Sequence, residues 1–503
     1  MRRLLDLPLL VFLMGVGALA MLVPAAHALV LHDYATSRAF FYPSVLLLVL
    51  TAMIGVATVN YTPRNAARSH LMALLGAYVL LPFLFAVPVA EAVPDTTFTN
   101  AWFEMVSCFT TTGATVYDTP GRLPDSVHLW RALVGWGGGF FILLAALAVL
   151  APMNLGGFEV ISGGAVGRAA GGPITRVADP SERLVRYALI LFPVYGGLTL
   201  LLWLGLLLAG DVPLVALSHA MSTMATSGIS PVQGMQGARS GIPGEMLIFV
   251  FLFFAISRHT LPGTAQVEGR RSLLGDPEFR MGLTVVAIVT ALLFLRHWTA
   301  AIETRSPDHL PQALSALWAS AFTVLSFLST TGFQAVGWEN AQTWSGLNAP
   351  GLILVGLALL GGGVATTAGG VKLLRFYALF KHGQREMEKL VHPNSVGGAG
   401  ALARRLRREG AYVAWIFFML FGLSVTLVMA LLTLTGIEFE PALVFSVSAL
   451  STTGPLAAVA TETPLSYAAL APAAKAILAG AMVLGRLETL AIIALLAPDS
   501  WRS

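Results

Sequence analysis

Residues 447–458 read VSALSTTGPLAA and lie between two long apolar runs. The stretch carries no charge, yet its hydroxyls, Gly454 and Pro455 are poor material for a helix that faces lipid. The same pattern occurs three more times. Aligned on their last glycines, the copies are SCFTTTG at Gly113, STMATSG at Gly228, SFLSTTG at Gly332 and SALSTTG at Gly454. Six residues before each glycine stands a serine: Ser107, Ser222, Ser326 and Ser448. Four before stands a large apolar residue: Phe109, Met224, Leu328 and Leu450. Two before is threonine each time, Thr111, Thr226, Thr330 and Thr452. The residue just before is a hydroxyl: Thr112, Ser227, Thr331 or Thr453. Packing by small residues accounts for one such patch, but not for four in one register.

The background to these patches is apolar. Of 503 residues, 56% are hydrophobic and 11% charged, which implies a polytopic membrane protein. Runs long enough to cross a bilayer fall at 7–31, 41–60, 70–90, 128–152, 182–209, 243–261, 279–299, 348–382, 411–436 and 470–497, so ten spans are expected. The first competes with a secretory signal ending at Ala26 and Ala28, but its apolar run from Leu7 to Val23 is long for one. The repeated patches end four semi-apolar pieces at 100–111, 214–226, 315–330 and 440–452, each too short to span. Re-entrant half-helices fit them, because irregular backbone at membrane depth is tolerated only inside protein or along a water-filled path.

The expected fold is therefore an all-α polytopic membrane protein. Four helix–pore loop–helix repeats (65–165, 166–270, 271–400 and 401–503) surround a central pore, after two N-terminal transmembrane helices in 1–64. With both termini cytoplasmic, most of the 30 Lys and Arg fall inside and the outer side is net acidic. A single cysteine, Cys108, excludes an internal disulfide, and zinc-protease, nucleophile-elbow and phosphate-loop motifs are absent. No enzyme, organic cofactor or nucleic-acid partner is indicated.

The residue types suggest ion passage. A permeating ion exchanges its water shell for fixed oxygens, which aimed backbone carbonyls supply without a full charge. Glycine reaches the required backbone angles at no steric cost, and the neighbouring hydroxyls can tie the loop down. Half-helices aimed C-terminus first at a common axis favour cations. An intramembrane hydrolase is a third possibility. Its nearest candidate pair, Ser222 and His219, sits on one short helix without a third group.

At these residues the chain resembles the Trk/Ktr/HKT superfamily of potassium transporters, most closely the TrkH type. FEMVSCFTTTGAT, ATTAGGVKLLRFYALFKHGQREMEKLVHP and GRLETL carry the likeness, which covers nearly the whole chain. The resemblance implies a K⁺ selectivity filter built from Thr111, Thr112, Gly113, Thr226, Ser227, Gly228, Thr330, Thr331, Gly332, Thr452, Thr453 and Gly454. Members with Ser at the first filter glycine tend toward sodium, so Gly113 implies potassium, with Rb⁺ also permeant. TSGIS and TTGPL depart from the commoner Gly-Phe forms. The resemblance also implies a cytosolic nucleotide-binding partner of TrkA type, a homodimer, and the bacterial inner membrane. The competing transport mode is a secondary transporter, or symporter, coupling K⁺ to H⁺ or Na⁺ by alternating access.

Residues 357–374, LALLGGGVATTAGGVKLL, interrupt the eighth span, because five glycines in ten residues do not sustain a helix. A bend without a role and a phosphate cradle compete here, but Lys372 lacks the following Ser or Thr of a phosphate loop. The resemblance implies a gating loop: Gly361, Gly362, Gly363, Thr366, Thr367, Gly369 and Gly370, with Lys372 at its end. Arg486 lies among apolar residues of the last span and should face a cavity or a partner. A pore-facing position beside that loop is expected, with carbonyl satisfaction the alternative. Lys372, Arg375, Lys381, Arg385, Lys389, Arg404, Arg405, Arg407 and Arg408 form the main basic cluster, either a topology determinant or a docking surface.

Overall fold

The structure is a computed structural model. It describes residues 8–58, 66–158, 160, 180–260, 273–304, 309–339, 350–392, 410–461 and 463–488. The expected repeat boundaries near 64, 165, 270 and 400 lie outside them, as do Arg404, Arg405, Arg407 and Arg408 and the last span beyond 488.

Nearly all of the regular structure is helical. At the N-terminus α1 (Leu9–Ala20) continues through a turn at Met21 into α2 (Leu22–Val30), and α3 (Tyr34–Thr58) packs back on both. Serines join them where backbones approach: Ser44 Oγ donates to the Ala18 carbonyl at 2.7 Å, and Ser37 Oγ to that of Ala25 at 3.0 Å.

A long helix, a helix that stops short, and a third helix then occur in order. They are α4 (Ala66–Ala92), α5 (Phe98–Phe109) and α6 (Asp125–Ala145). Next come α7 (Pro180–Leu208), α8 (Pro213–Ala225) and α9 (Gly241–Leu252). The third set is α10 (Pro277–Thr304), α11 (His309–Leu328) and α12 (Pro350–Leu360), followed after a break by α13 (Leu373–Val391). The last is α14 (Ala411–Leu434), α15 (Phe439–Leu450) and α16 (Pro472–Leu487). Two of the short helices begin sharply, α5 with Thr97 accepting from the Asn100 amide and α8 with Pro213 in its first turn.

Eight helical runs among the described residues are long and apolar enough to cross a bilayer. Seven are expected spans, while the helices at the sixth and eighth are shorter, Gly241–Ala255 and Pro350–Leu360, and the tenth is described only over Pro472–Leu487 and Glu488. The remaining run is Pro311–Leu328, within the 20-residue α11, where a piece of about half a span was expected. Polar but helix-compatible residues at its start, with Pro311 in the first turn, extend it beyond the apolar stretch.

Lipid removes the hydrophobic drive between helices, so close packing must hold them. Gly138 on α6 lets the Phe109 carbonyl of α5 approach, and Gly485 on α16 does the same for the Leu450 carbonyl of α15. Behind α5 an aromatic group of Tyr78, Phe85, Phe109, Trp130 and Phe141 fills the core, with Trp130 edge-on to Phe85 at 5.5 Å. These contacts fix the short helices whose C-termini carry the repeated motif.

Candidate functional site

Each short helix ends in the same hydrogen-bonded turn. The hydroxyl residue before the glycine donates its amide to the carbonyl of the motif serine: Thr112 to Ser107 at 2.8 Å, and Ser227 to Ser222, Thr331 to Ser326 and Thr453 to Ser448 at 2.9 Å. The motif threonine donates to the residue three before it: Thr111 to Cys108, Thr226 to Thr223, Thr330 to Phe327 and Thr452 to Ala449. Together these make a Schellman termination. Its left-handed position, usually glycine, holds threonine four times, with φ of 55°, 51°, 59° and 53°. A β-branched residue there costs about 1–3 kcal/mol, so the surroundings must enforce it.

Hydroxyls supply part of that enforcement. Thr110 Oγ1 lies 2.8 Å from Thr112 Oγ1, Ser329 Oγ 3.0 Å from Thr331 Oγ1, and Ser451 Oγ 3.2 Å from Thr453 Oγ1. The second tip has Ala225 at that place, and Ser227 Oγ turns to Ser222 Oγ instead, at 3.2 Å. His219 bonds Ser230 Oγ at 2.8 Å, so the Ser222–His219 pair considered for hydrolysis does not form.

The four tips meet and close a ring. A Cβ added to Gly113 would collide with the Ser227 carbonyl of the second tip, and one on Gly228 with the Thr331 carbonyl of the third. One on Gly332 would fall 2.9 Å from Pro455 of the fourth, and one on Gly454 would strike Gly113 and Ala114 of the first. Only glycine permits these approaches.

The fourth tip differs from the others. Gly113, Gly228 and Gly332 have φ of 74°, 65° and 82°, whereas Gly454 is not left-handed and opens a 3-10 turn, Gly454–Ala458. Its amide donates to the Thr112 carbonyl at 2.6 Å. Its own carbonyl accepts from Tyr467 OH at 3.1 Å, and the Thr453 carbonyl accepts from Ser448 Oγ at 2.9 Å. In this conformation those oxygens are engaged by protein donors.

On one side of the ring lies a cavity of about 500 Å³, with Gly113, Gly228, Gly332, Gly454 and Pro455 in its lining. Asp118 and Glu339 add carboxylates to its wall, which His128 and Arg131 also line. On the other side the break in the eighth span presses against the ring. Residues 361–372 are all buried. The Gly369 amide donates to Thr330 Oγ1 at 2.8 Å, and Thr367 Oγ1 donates to the Met224 carbonyl at 3.2 Å. From below, the Val364 amide donates to Glu278 at 2.9 Å and the Gly363 amide to the Ala255 carbonyl at 3.0 Å. Ala365 and Lys372 take φ of 53° and 84°, so the strain is not confined to glycines.

Arg486 completes this layer. Its Nη1 donates to the Thr367 carbonyl at 2.7 Å, while Nε and Nη2 are buried near the Tyr78 hydroxyl with no hydrogen bond of good geometry among the described residues. Lys372 Nζ donates to the Ala368 carbonyl. Arg486, Lys372, Thr366, Gly369 and Gly370 line a space of about 20 Å³, room for about one water. The open space thus falls from about 500 Å³ on one side of the ring to about 20 Å³ on the other.

All four motif tips, the 361–370 loop and Arg486 therefore lie together. The described members of the basic cluster are divided. Lys372 is buried in the 361–372 segment, and Arg375 is buried in an ion pair with Glu488 at 2.5 Å, 3.6 Å above the Phe417 ring. Lys381, Arg385 and Lys389 lie along α13, where Lys389 pairs with Glu386 at 2.6 Å. Sequence reasoning missed the buried Glu104–Arg131 ion pair, 2.7 Å, beside the first tip. The signal was available: both are charges within apolar helices, as Arg486 is.

Comparisons with known proteins bear on this arrangement. The sequence pattern of the TrkH family, described as a cation transport protein, matches residues 246–502. The Trk system potassium uptake protein TrkH of Salmonella typhimurium is 31% identical over 435 residues, covering 85% of this chain and 84% of that protein. The chain belongs to the TrkH family. TrkH of Escherichia coli strain K12 is 28% identical over 490 residues, covering 96% of each chain. The crystal structure of the potassium transporter TrkH from Vibrio parahaemolyticus superimposes with a TM-score of 0.81 at 26% identity, over the whole of both chains. The TrkH fold and the apolar helices make this a multi-pass membrane protein, and the relatives are transporters rather than enzymes.

Proposed function

We propose that this chain is the membrane subunit of a Trk-type system and takes up K⁺ through the ring formed by its four motif tips. The observation that carries the reading is the closed cyclic contact of Gly113, Gly228, Gly332 and Gly454, each on the neighbouring tip. The printed names of the relatives, potassium uptake proteins, agree with it. Thr111, Thr112, Gly113 and their counterparts, Thr226, Ser227, Gly228, Thr330, Thr331, Gly332, Thr452, Thr453 and Gly454, form the filter. Gly361–Gly370, Lys372 and Arg486 form the gate. An ion leaving the ring meets the plug and two cationic side chains, and passes only when the loop moves.

Membrane potential supplies about 2.3 kcal/mol per charge per 100 mV, enough to drive uptake without nucleotide hydrolysis by this chain. The remaining features follow the family: a cytosolic nucleotide-binding partner of TrkA type, a homodimer, the bacterial inner membrane and cytoplasmic termini. The test is rubidium tracer uptake into liposomes holding the purified chain, with Na⁺ and Li⁺ as competitors, with and without the partner. Uptake that follows the potential and resists Na⁺ supports the proposal. Strictly coupled H⁺ or Na⁺ movement replaces it with a secondary transporter.

A further inference from the structure

The tips are held from behind as well as from each other. Nine residues before the filter glycine the repeats carry Glu104, His219, Thr323 and Phe445. In the first three, this side chain reaches past the tip to the strand beyond the glycine. Glu104 accepts from Thr115 Oγ1 at 3.1 Å and from the Val116 amide at 3.0 Å. His219 bonds Ser230 Oγ at 2.8 Å, and Ser230 Oγ in turn accepts from the Val232 amide at 3.1 Å. Thr323 Oγ1 accepts from the Ala335 amide at 3.2 Å. Three chemically different groups thus bind the same place, two or three residues past the glycine.

The fourth repeat breaks the pattern and replaces it. Phe445 has no polar atom to offer, and its ring packs on Tyr467, 5.0 Å between centroids. Tyr467 OH lies 2.6 Å from Ser448 Oγ and donates to the Gly454 carbonyl at 3.1 Å. These anchors are almost fully buried: Glu104, His219 and Thr323 at 0% exposure and Tyr467 at 5%. Each left-handed threonine needs a surround that holds its strained tip, and a buried hydrogen bond is stiff because breaking it leaves a polar group unmatched.

We propose that Glu104, His219, Thr323 and Tyr467 are positioning residues that set the spacing of the filter oxygens and thereby the discrimination between K⁺ and Na⁺. None touches the ion. Glu104, His219 and Thr323 fix the segment that leaves the ring and Tyr467 holds the Gly454 carbonyl, so the ring cannot contract around a smaller cation. Arg131 belongs to the set as the partner that holds the Glu104 side chain in place, 2.7 Å away.

The inference rests on the potassium-uptake reading, and the experiment separates the two. Wild type, Thr323→Val, Thr323→Ser and Tyr467→Phe are reconstituted in liposomes. Rubidium and sodium tracer fluxes are measured at equal amounts of folded protein. Potassium-selective flux in wild type is the test of the underlying reading. With that in hand, Thr323→Val and Tyr467→Phe are expected to lower the Rb⁺/Na⁺ flux ratio roughly two- to tenfold, the factor one hydrogen bond carries. Thr323→Ser, which keeps the acceptor, restores the ratio. An unchanged Rb⁺/Na⁺ ratio in folded Thr323→Val and Tyr467→Phe overturns the proposal, as does a ratio in Thr323→Ser no better than in Thr323→Val.

Discussion

Gly369→Ala tests the plug most directly. A Cβ at this position would overlap the Ser451 carbonyl and Thr452 Oγ1, both part of the fourth tip. The threonine hydroxyl could rotate aside, but the carbonyl belongs to a backbone fixed by the Ser451 and Thr453 amide bonds to Val447 and Ser448. The loop must therefore retreat, and in doing so it stretches the 2.8 Å bond from the Gly369 amide to Thr330 Oγ1. Overpacking of this kind costs about 1–3 kcal/mol. If the open state relieves all of it, the open-to-closed ratio rises roughly fivefold to 150-fold. The assay is rubidium uptake into liposomes in the resting condition, without any partner protein. Gly383→Ala on α13 is the control, because a methyl there meets nothing within 4 Å. A folded Gly369→Ala whose resting flux equals or falls below that of the control refutes the plug.

Gly113→Ser is expected to lower K⁺ over Na⁺ discrimination, since the new side chain strikes the Ser227 carbonyl from a backbone at φ 74°; unchanged permeability ratios remove Gly113 from the filter. Arg486→Ala takes away the bond to the Thr367 carbonyl and a charge beside the path, so single-channel or tracer conductance should rise. A deletion within Gly361–Gly370 should likewise raise resting flux, and a folded but silent deletion counts against a gate. Arg131→Met strands the fully buried Glu104 carboxylate and should cost about 3–5 kcal/mol, read as a lowered unfolding temperature in detergent. A loss below about 1 kcal/mol would mean that Glu104 is satisfied without its partner.

Much of this architecture was legible because the motif repeats. One Thr-Gly patch is ordinary packing, but the shared register of Ser107, Ser222, Ser326 and Ser448 required four equivalent turns. The structure gives each serine carbonyl the same amide partner. The glycine-rich break was legible for a related reason: a helix interior does not survive so many glycines, and α12 stops at Leu360. Helix lengths were less readable. Hydropathy marks where a segment is apolar, not where its hydrogen bonds begin, so the polar start of α11 was misjudged.

What escaped the sequence was the division of labour inside the tip. Glycine was the natural choice for a left-handed position, and Gly113, Gly228 and Gly332 take one, yet threonine does so as well in all four repeats. The glycines serve chiefly to let neighbouring tips touch. Gly454 makes the distinction plain, for it is not left-handed and still leaves no room for a Cβ. The proline after it explains the difference: Pro455 suits the first turn of a 3-10 helix, so the chain coils immediately. Coiling brings the Pro455 ring to within 2.8 Å of where a Gly228 Cβ would sit and 2.9 Å of that for Gly332. A departure visible as two letters in TTGPL therefore makes the ring unequal. The strand lost after Gly454 also leaves nothing for an anchor at Phe445 to bind, which is why the fourth repeat relies on Tyr467 from farther along the chain.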